Sequence, residues 1–232
     1  MMLQDHFHPP LSVYRHWHSF HNAWATYLAS QLNEKLPEGY YAESNVHFGV
    51  EIDVAAMNDG TTEQPVLPLH WMPPDPGQSI PMLFNDSLVE INIFNRSSGP
   101  TLAAAIELVS PSNKDRPASR EAFLVKCMAC LQQGIGLMIV DVVTNRSNSF
   151  HDELLTRFGT PASAVKPDLF AASYRPIERA GQPQLDIWYE VLQVGNSLPT
   201  LPLWLPGDLC LPLDLHAAYE RTCREHRLST SA

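Results

Sequence analysis

Residues 101–143, TLAAAIELVSPSNKDRPASREAFLVKCMACLQQGIGLMIVDVV, decide the fold. The apolar run Leu102–Val109 reads as a strand and carries one acid, Glu107. A turn rich in Ser, Pro and Asn follows, with Lys114, Arg116 and Arg120 in or just beyond it. Ser119 is a helix cap and Gly134 a helix stop, which places a helix over 120–133 bearing Lys126. The next run, Ile135–Val143, is apolar on both faces, as expected of a strand buried in a parallel pair, and Asp141 stands near its end. Strand, crossover helix and strand make one right-handed βαβ unit. A carboxylate inside an apolar strand is costly unless it is paired, protonated or metal-bound. Glu107 is therefore the best pointer to function.

Working outward, Trp17–Leu36 predicts a helix with Phe20, Trp24, Tyr27, Leu28 and Leu32 on one side, closed by Pro37 and Gly39. Asn45–Met57 alternates as one strand. Val46, Phe48, Val50, Ile52 and Val54 share a face, and His47, Glu51 and Asp53 share the other. Residues 58–82 hold six prolines after Pro65 is counted, and form an irregular excursion. Leu88–Phe94 and Leu102–Val109 predict strands joined by a hairpin around Arg96–Pro100. Leu185–Val194 predicts a strand, and the segment SLPTLPLWLPGDLCLPLDL is extended and proline-studded. Asp214 caps a last helix from Leu215 to about Arg227. The expectation is an α/β fold, a mixed central sheet with flanking helices, in a single domain over 1–232. An irregular arm (1–16) precedes it and a frayed tail (228–232) ends it.

Composition narrows the function classes. Hydrophobic residues are 44% and charged ones 17% of 232 residues, which suits a globular chain with a sizeable core. Fifteen basic residues against 25 acidic ones give −10, which disfavours broad binding to nucleic acid but leaves room for a local basic groove. The apolar run at Gly134–Val143 is far short of the roughly 20 residues that span a bilayer. The opening MMLQDHFHPP lacks a basic region followed by an apolar one, so no membrane partner and a cytoplasmic location are expected. A homo-oligomer is left open. Cys127 and Cys130 form a CxxC inside the predicted helix, without a second pair that would complete a zinc site, and read as reduced core thiols. His6, His8, His16, His18 and His21 crowd the N-terminus, but His16 and His18 are not spaced to share a helix face. No phosphate-cradling glycine motif and no GxSxG elbow is present.

Chemistry narrows to Asp53, Glu107 and Lys126. Two carboxylates on neighbouring strands can hold a hard divalent ion such as Mg2+, and a nearby lysine can orient the attacking water. Lys126 sits at the margin of the stripe Phe123, Cys127, Cys130 and Leu131, so its ammonium can reach over the sheet edge. The alternative is that Asp53 ends a strand, Glu107 pairs with an arginine and Lys126 is solvated.

The segments IELVSPSNK, REAFLVKCMACLQQGIGLMIVDVV, SLPTLPLWLPGDLCLPLDLHAAYERTC and WHSFHNAWATYLASQLNEKLPEGYYAE resemble the bacterial family called domain of unknown function 4058, over about Trp17–Arg224. The middle part is also similar to Uma-type restriction-endonuclease-like proteins. In those an aspartate follows a first strand, a glutamate precedes LSPS, and a helical lysine stands eight residues before a glycine. Asp53, Glu107 and Lys126, eight before Gly134, occupy those places. The resemblance implies a PD-(D/E)xK nuclease fold whose lysine has moved from strand to helix. On the hydrolase reading Asp53 and Glu107 bind the metal, Glu34 or Glu51 is a weaker extra ligand, and Lys114, Arg116 and Arg120, clustered in the turn and helix start beyond Glu107, are the expected phosphate contacts. Two departures stand out: Val109 occupies the usual lysine position and Ile52 the usual proline position. A magnesium-dependent phosphodiester hydrolase is one expectation, and a catalytically silent binding or assembly module is the other.

Overall fold

The computed structural model describes residues 1–47, 51–60, 71–82, 101–161 and 167–228, without the side chains of residues 46, 47 and 51. Helices α1 (Leu11–Tyr14) and α2 (Trp17–Asn33) lead into strands β1 (Tyr40–His47) and β2 (Glu51–Asn58). The proline-rich stretch contributes one short strand, β3 (Gln78–Pro81). Then come β4 (Thr101–Leu108), α3 (Pro111–Asp115), α4 (Pro117–Gln132), β5 (Gly136–Asp141) and α5 (Phe150–Arg157). The chain closes with β6 (Phe170–Arg179), β7 (Gln182–Val191), β8 (Thr200–Leu205), β9 (Leu209–Asp214) and α6 (Leu215–Glu225).

Seven strands form one sheet in the order β1-β2-β4-β5-β6-β7-β3, and β8 and β9 pair separately. The β4–β5 contact is parallel, as the βαβ reading requires, and the other pairings are antiparallel. Alternation along β4 sends Ala104 and Ile106 to one layer and Ala105 to the other. The first layer is α2, α6 and the β8–β9 hairpin, with Phe20, Trp24, Leu28 and Leu32 recurring at helical spacing against Tyr219, Cys223 and Leu203. The second layer is α4 and α5, where Phe123, Cys127, Cys130 and Leu131 meet Leu137, Ile139 and Phe150. The architecture is mixed α/β, a large mixed sheet with helices on both faces.

Several expectations are corrected. Asn45–Met57 is not one strand: it holds the end of β1 and the start of β2, which pair antiparallel with His47 opposite Glu51, while Asn45, at φ 55°, is an irregularity inside β1. Helix α4 begins at Pro117 rather than Arg120, because a proline at the first turn brings its own helical φ and needs no N–H partner. Ser119 therefore caps nothing; Ser110 caps the short α3 instead, exchanging bonds with Asn113. The proline-studded 197–214 segment folds into a hairpin turned at Gly207 and Asp208, both with positive φ. Arm 1–16 holds the short α1 and is docked, since Leu3 is buried and His6 bonds Tyr219 at 2.7 Å. Asp214 caps α6 by accepting from the Ala217 N–H at 2.9 Å, as expected. The expected strand 88–94, its hairpin at 96–100, residues 61–70 of the proline-rich excursion and the tail beyond 228 lie outside the described residues.

One close approach fixes the two β layers. A Cβ on Gly136 would lie 2.0 Å from the Trp204 carbonyl oxygen, so β5 and β8 meet backbone to backbone at a spot only glycine permits. Gly136→Ala is expected to cost at least ~3 kcal/mol, the upper end for overpacked cores, because the obstacle is main chain. Urea unfolding of the variant checks this; an unchanged midpoint would contradict the packing.

Candidate functional site

The site lies at the carboxyl end of β4, where the β2, β4 and α4 groups meet the N-terminal part of α2. The register Val54↔Ile106 and Ala55↔Ala105 continues to place Asp53 beside Glu107, and Glu107 pairs with Ile139 of β5. Asp53 and Glu107 thus point to the same sheet face, toward α4. From that helix Lys126 reaches Glu107, Nζ to Oε2 at 2.6 Å, with its ammonium 5.2 Å from the Phe123 ring centre. The three expected residues line one cleft of about 380 Å³, together with Trp17, His18, Asn22, Asn45, Ser112 and Asn113.

A fourth residue joins them. His21 of α2 sends Nε2 to the Leu108 carbonyl at 2.9 Å and lies 3.4 Å from Asp53 Oδ2. The Leu108 N–H donates to the same Asp53 oxygen at 2.8 Å. Asp53, Leu108 and His21 close a ring of polar contacts around the end of β4. In the sequence His21 is one of five clustered histidines. The signal that singles it out is its place on the buried side of α2, one residue past Phe20 and three before Trp24.

Electrostatics follow burial. Loss of solvent raises the Glu107 carboxyl most, and Asp53 adds to this; Lys126 opposes both, and the net position is about 7. Burial, the largest single influence, favours the neutral amine of Lys126, but the charge and hydrogen bond of Glu107 together with Cys127 and Asp53 outweigh it and hold Lys126 above its ordinary value. For His21 the burial penalty is overcome by the bond and charge of Asp53, which raise it. Glu107 Oε1 is buried without a hydrogen-bond partner. Glu107 as a residue lines the polar cleft, while this oxygen itself is sealed from solvent.

The three cations expected to touch phosphate do not gather. Lys114 is sealed in the protein, paired with Asp141 at 2.6 Å with both side chains 0% exposed, so it is a strut and not a surface contact. Arg120 pairs with Glu153 at 2.6 Å, across toward α5. Arg116 is exposed at the start of α4 and stays outside the cleft lining. Glu34 lines a separate groove between α2 and β1, and the Glu51 side chain is outside those described. Cys127 and Cys130 are buried thiols, with Cys130 pushed up to about 12 by burial, which suits core packing. His8, His16 and His18 are exposed and His6 is buried. Among the described residues no three or more His, Cys, Asp or Glu side chains are grouped so that they could hold a metal ion. No helix among the described residues is long and apolar enough to cross a membrane.

Compared with protein-family models, curated proteins and solved structures, the chain matches none of them.

The Glu107 position fixes a sign. An unfolded chain releases the Glu107 proton near 4.5, whereas the folded one holds it to about 7. Between those values the folded state binds more protons, so this contribution is complete below 4.5 and is lost as pH rises through 7. Against Glu107→Gln, the wild type should lose on the order of 3 kcal/mol of relative stability across that window. Denaturant titrations of both proteins at several pH values measure it, and a flat difference would refute a buried, proton-retaining Glu107. Lys114→Ala should cost about 3–5 kcal/mol by stranding Asp141, while Arg116→Ala should stay within about 0.5 kcal/mol. Equal losses in the two variants would contradict the strut.

Proposed function

We propose that this chain is a metal-dependent phosphodiester hydrolase on a restriction-endonuclease-like core. Asp53 and Glu107 hold magnesium, and Lys126 assists the attacking water. The supporting observation is the convergence of those three side chains, from two strands and a helix, in one open cleft. The donor set suits magnesium better than zinc. Magnesium keeps several waters and needs only one or two carboxylates, so two hard oxygen donors suffice. Asp53 and Glu107 are the residues that would hold it. Bound there, the ion would supply charge stabilisation at the phosphoryl oxygens.

The residues themselves do the remaining work. Leu108 and His21 fix the Asp53 carboxylate by two contacts on Oδ2, leaving its other oxygen directed elsewhere. Lys126 sets the Glu107 rotamer and carries a positive charge into the cleft, where it can lower the charge on an attacking oxygen. The second reading, a silent binding or assembly module, is favoured by the engagement of Lys126 with Glu107 and by the absence of Lys114, Arg116 and Arg120 from the cleft.

The two readings separate on metal and turnover. Titration calorimetry should detect magnesium or manganese binding at millimolar concentration, with a rise in melting temperature that Glu107→Gln abolishes. Lys126→Ala should lower kcat more than it raises KM. No heat, no thermal shift and no metal-dependent hydrolysis of any phosphodiester up to ~10 mM metal would leave the silent module standing.

A further inference from the structure

We infer, building on the hydrolase reading, that the substrate is a compact phosphodiester of nucleotide size, such as a cyclic mononucleotide or dinucleotide, and not a long nucleic acid. The cleft volume of about 380 Å³ falls in the range of small-molecule sites, roughly 300–1,000 Å³. Its walls offer neutral donors and acceptors, Asn22, Asn45, Ser112 and Asn113, suited to sugar hydroxyls and base edges.

Charge decides between the two substrate sizes. A polymer is held along its backbone by lysines and arginines that neutralise successive phosphates, and that contact dominates its affinity. Among the described residues lining the cleft Lys126 is the one Lys or Arg, and it is joined to Glu107. A second groove of about 870 Å³ lies between α2 and β1, and Asn45 lines both it and the cleft. Thr26, Ser30, Asn33 and Ser44 line it with neutral groups, and Glu34 and Glu43 add two acids, with no Lys or Arg among the described lining residues. A strand leaving the cleft in that direction would lay phosphates against carboxylates. Elsewhere Lys114, Arg120, Arg146, Arg157, Arg175 and Arg179 are each matched to an Asp or Glu. The overall charge of −10 repels a polyanion at long range, while a ligand with one or two phosphates is repelled far less.

The test uses the full chain with magnesium or manganese at low salt. Substrates are bis(p-nitrophenyl) phosphate, a cyclic mononucleotide, a cyclic dinucleotide, and single- and double-stranded DNA and RNA of plasmid or transcript length. At least one small diester should be cleaved at least ~10-fold faster per linkage than any polymer, expressed as kcat/KM, with Glu107→Gln reduced to background. Long polymers should not inhibit that reaction, and Glu43→Lys should leave it unchanged while tightening polymer binding measured by fluorescence anisotropy. Polymers cleaved as fast as the small diesters, or competing with them, would overturn the inference and keep the hydrolase reading. No cleavage of any substrate with either metal would overturn both.

Discussion

The structure turns on a carboxylate that burial pushes toward neutrality. Glu107 is 2% exposed in the middle of the sheet, between β2 and β5, where an isolated charge would be too costly to keep. Lys126 is the answer, and it can reach only if α4 crosses the sheet with that residue at the edge of its apolar stripe. That in turn requires β4 and β5 to be parallel neighbours, since the crossover helix must return over the same face. The acid in the strand, the cation on the helix and the parallel pair are one constraint seen at three levels. Two carboxylates abreast with a lysine above them would be an expensive ornament in a structural core, because buried ion pairs of this kind seldom exceed what well-packed apolar side chains provide.

A second buried pair supplies the contrast. Asp141, at the end of β5, meets Lys114 of α3 with no solvent access, and burial lifts Asp141 to about 6 against the pull of Lys114. Both pairs combine an acid at a strand end with a lysine from the intervening chain, and both stitch the 101–143 unit together. They differ in what lies beyond them. Lys114 is covered by Phe150 and the Arg146 carbonyl, so the pair can only hold α3 in place. Glu107 and Lys126 open into a cleft with an oxygen left unsatisfied. Ion pairing alone marks no function; an ion pair with a vacant acceptor and room for a ligand is a different object.

The sequence exposed this centre because the chemistry is dense in one contiguous stretch. Glu107 stands out as the acid of an apolar strand, and the wheel position of Lys126 follows from four buried neighbours. The α2 stripe and the Asp214 cap were legible for the same reason, since their signals span a single turn or two. What stayed hidden depends on distant partners. The burial of Lys114 is set by Asp141, and the place of His21 by Asp53 and Leu108, none of which local spacing reveals. Strand β6 and helix α5 went unrecognised because Tyr174, Ser173 and His151 are buried polar groups satisfied only across the fold, Ser173 by the Pro202 carbonyl and Tyr174 by His151. The break between β1 and β2 was masked by apolar residues whose alternation runs straight through it.

The ring formed by Asp53, Leu108 and His21 has one further consequence. Both main-chain polar groups of Leu108 are spent, the N–H on Asp53 and the carbonyl on His21. The backbone at the end of β4 is therefore fixed from both sides of the sheet, by a strand residue and by a helix residue. Glu107 immediately precedes it and inherits that rigidity. A site whose carboxylates are already oriented spends little reorganisation when charge arrives, which is the condition under which fixed dipoles act most strongly on a reacting group. In this protein α2 is therefore part of the site: it closes one layer of the core with Phe20 and Trp24, and between them it places the imidazole that holds the strand end in position.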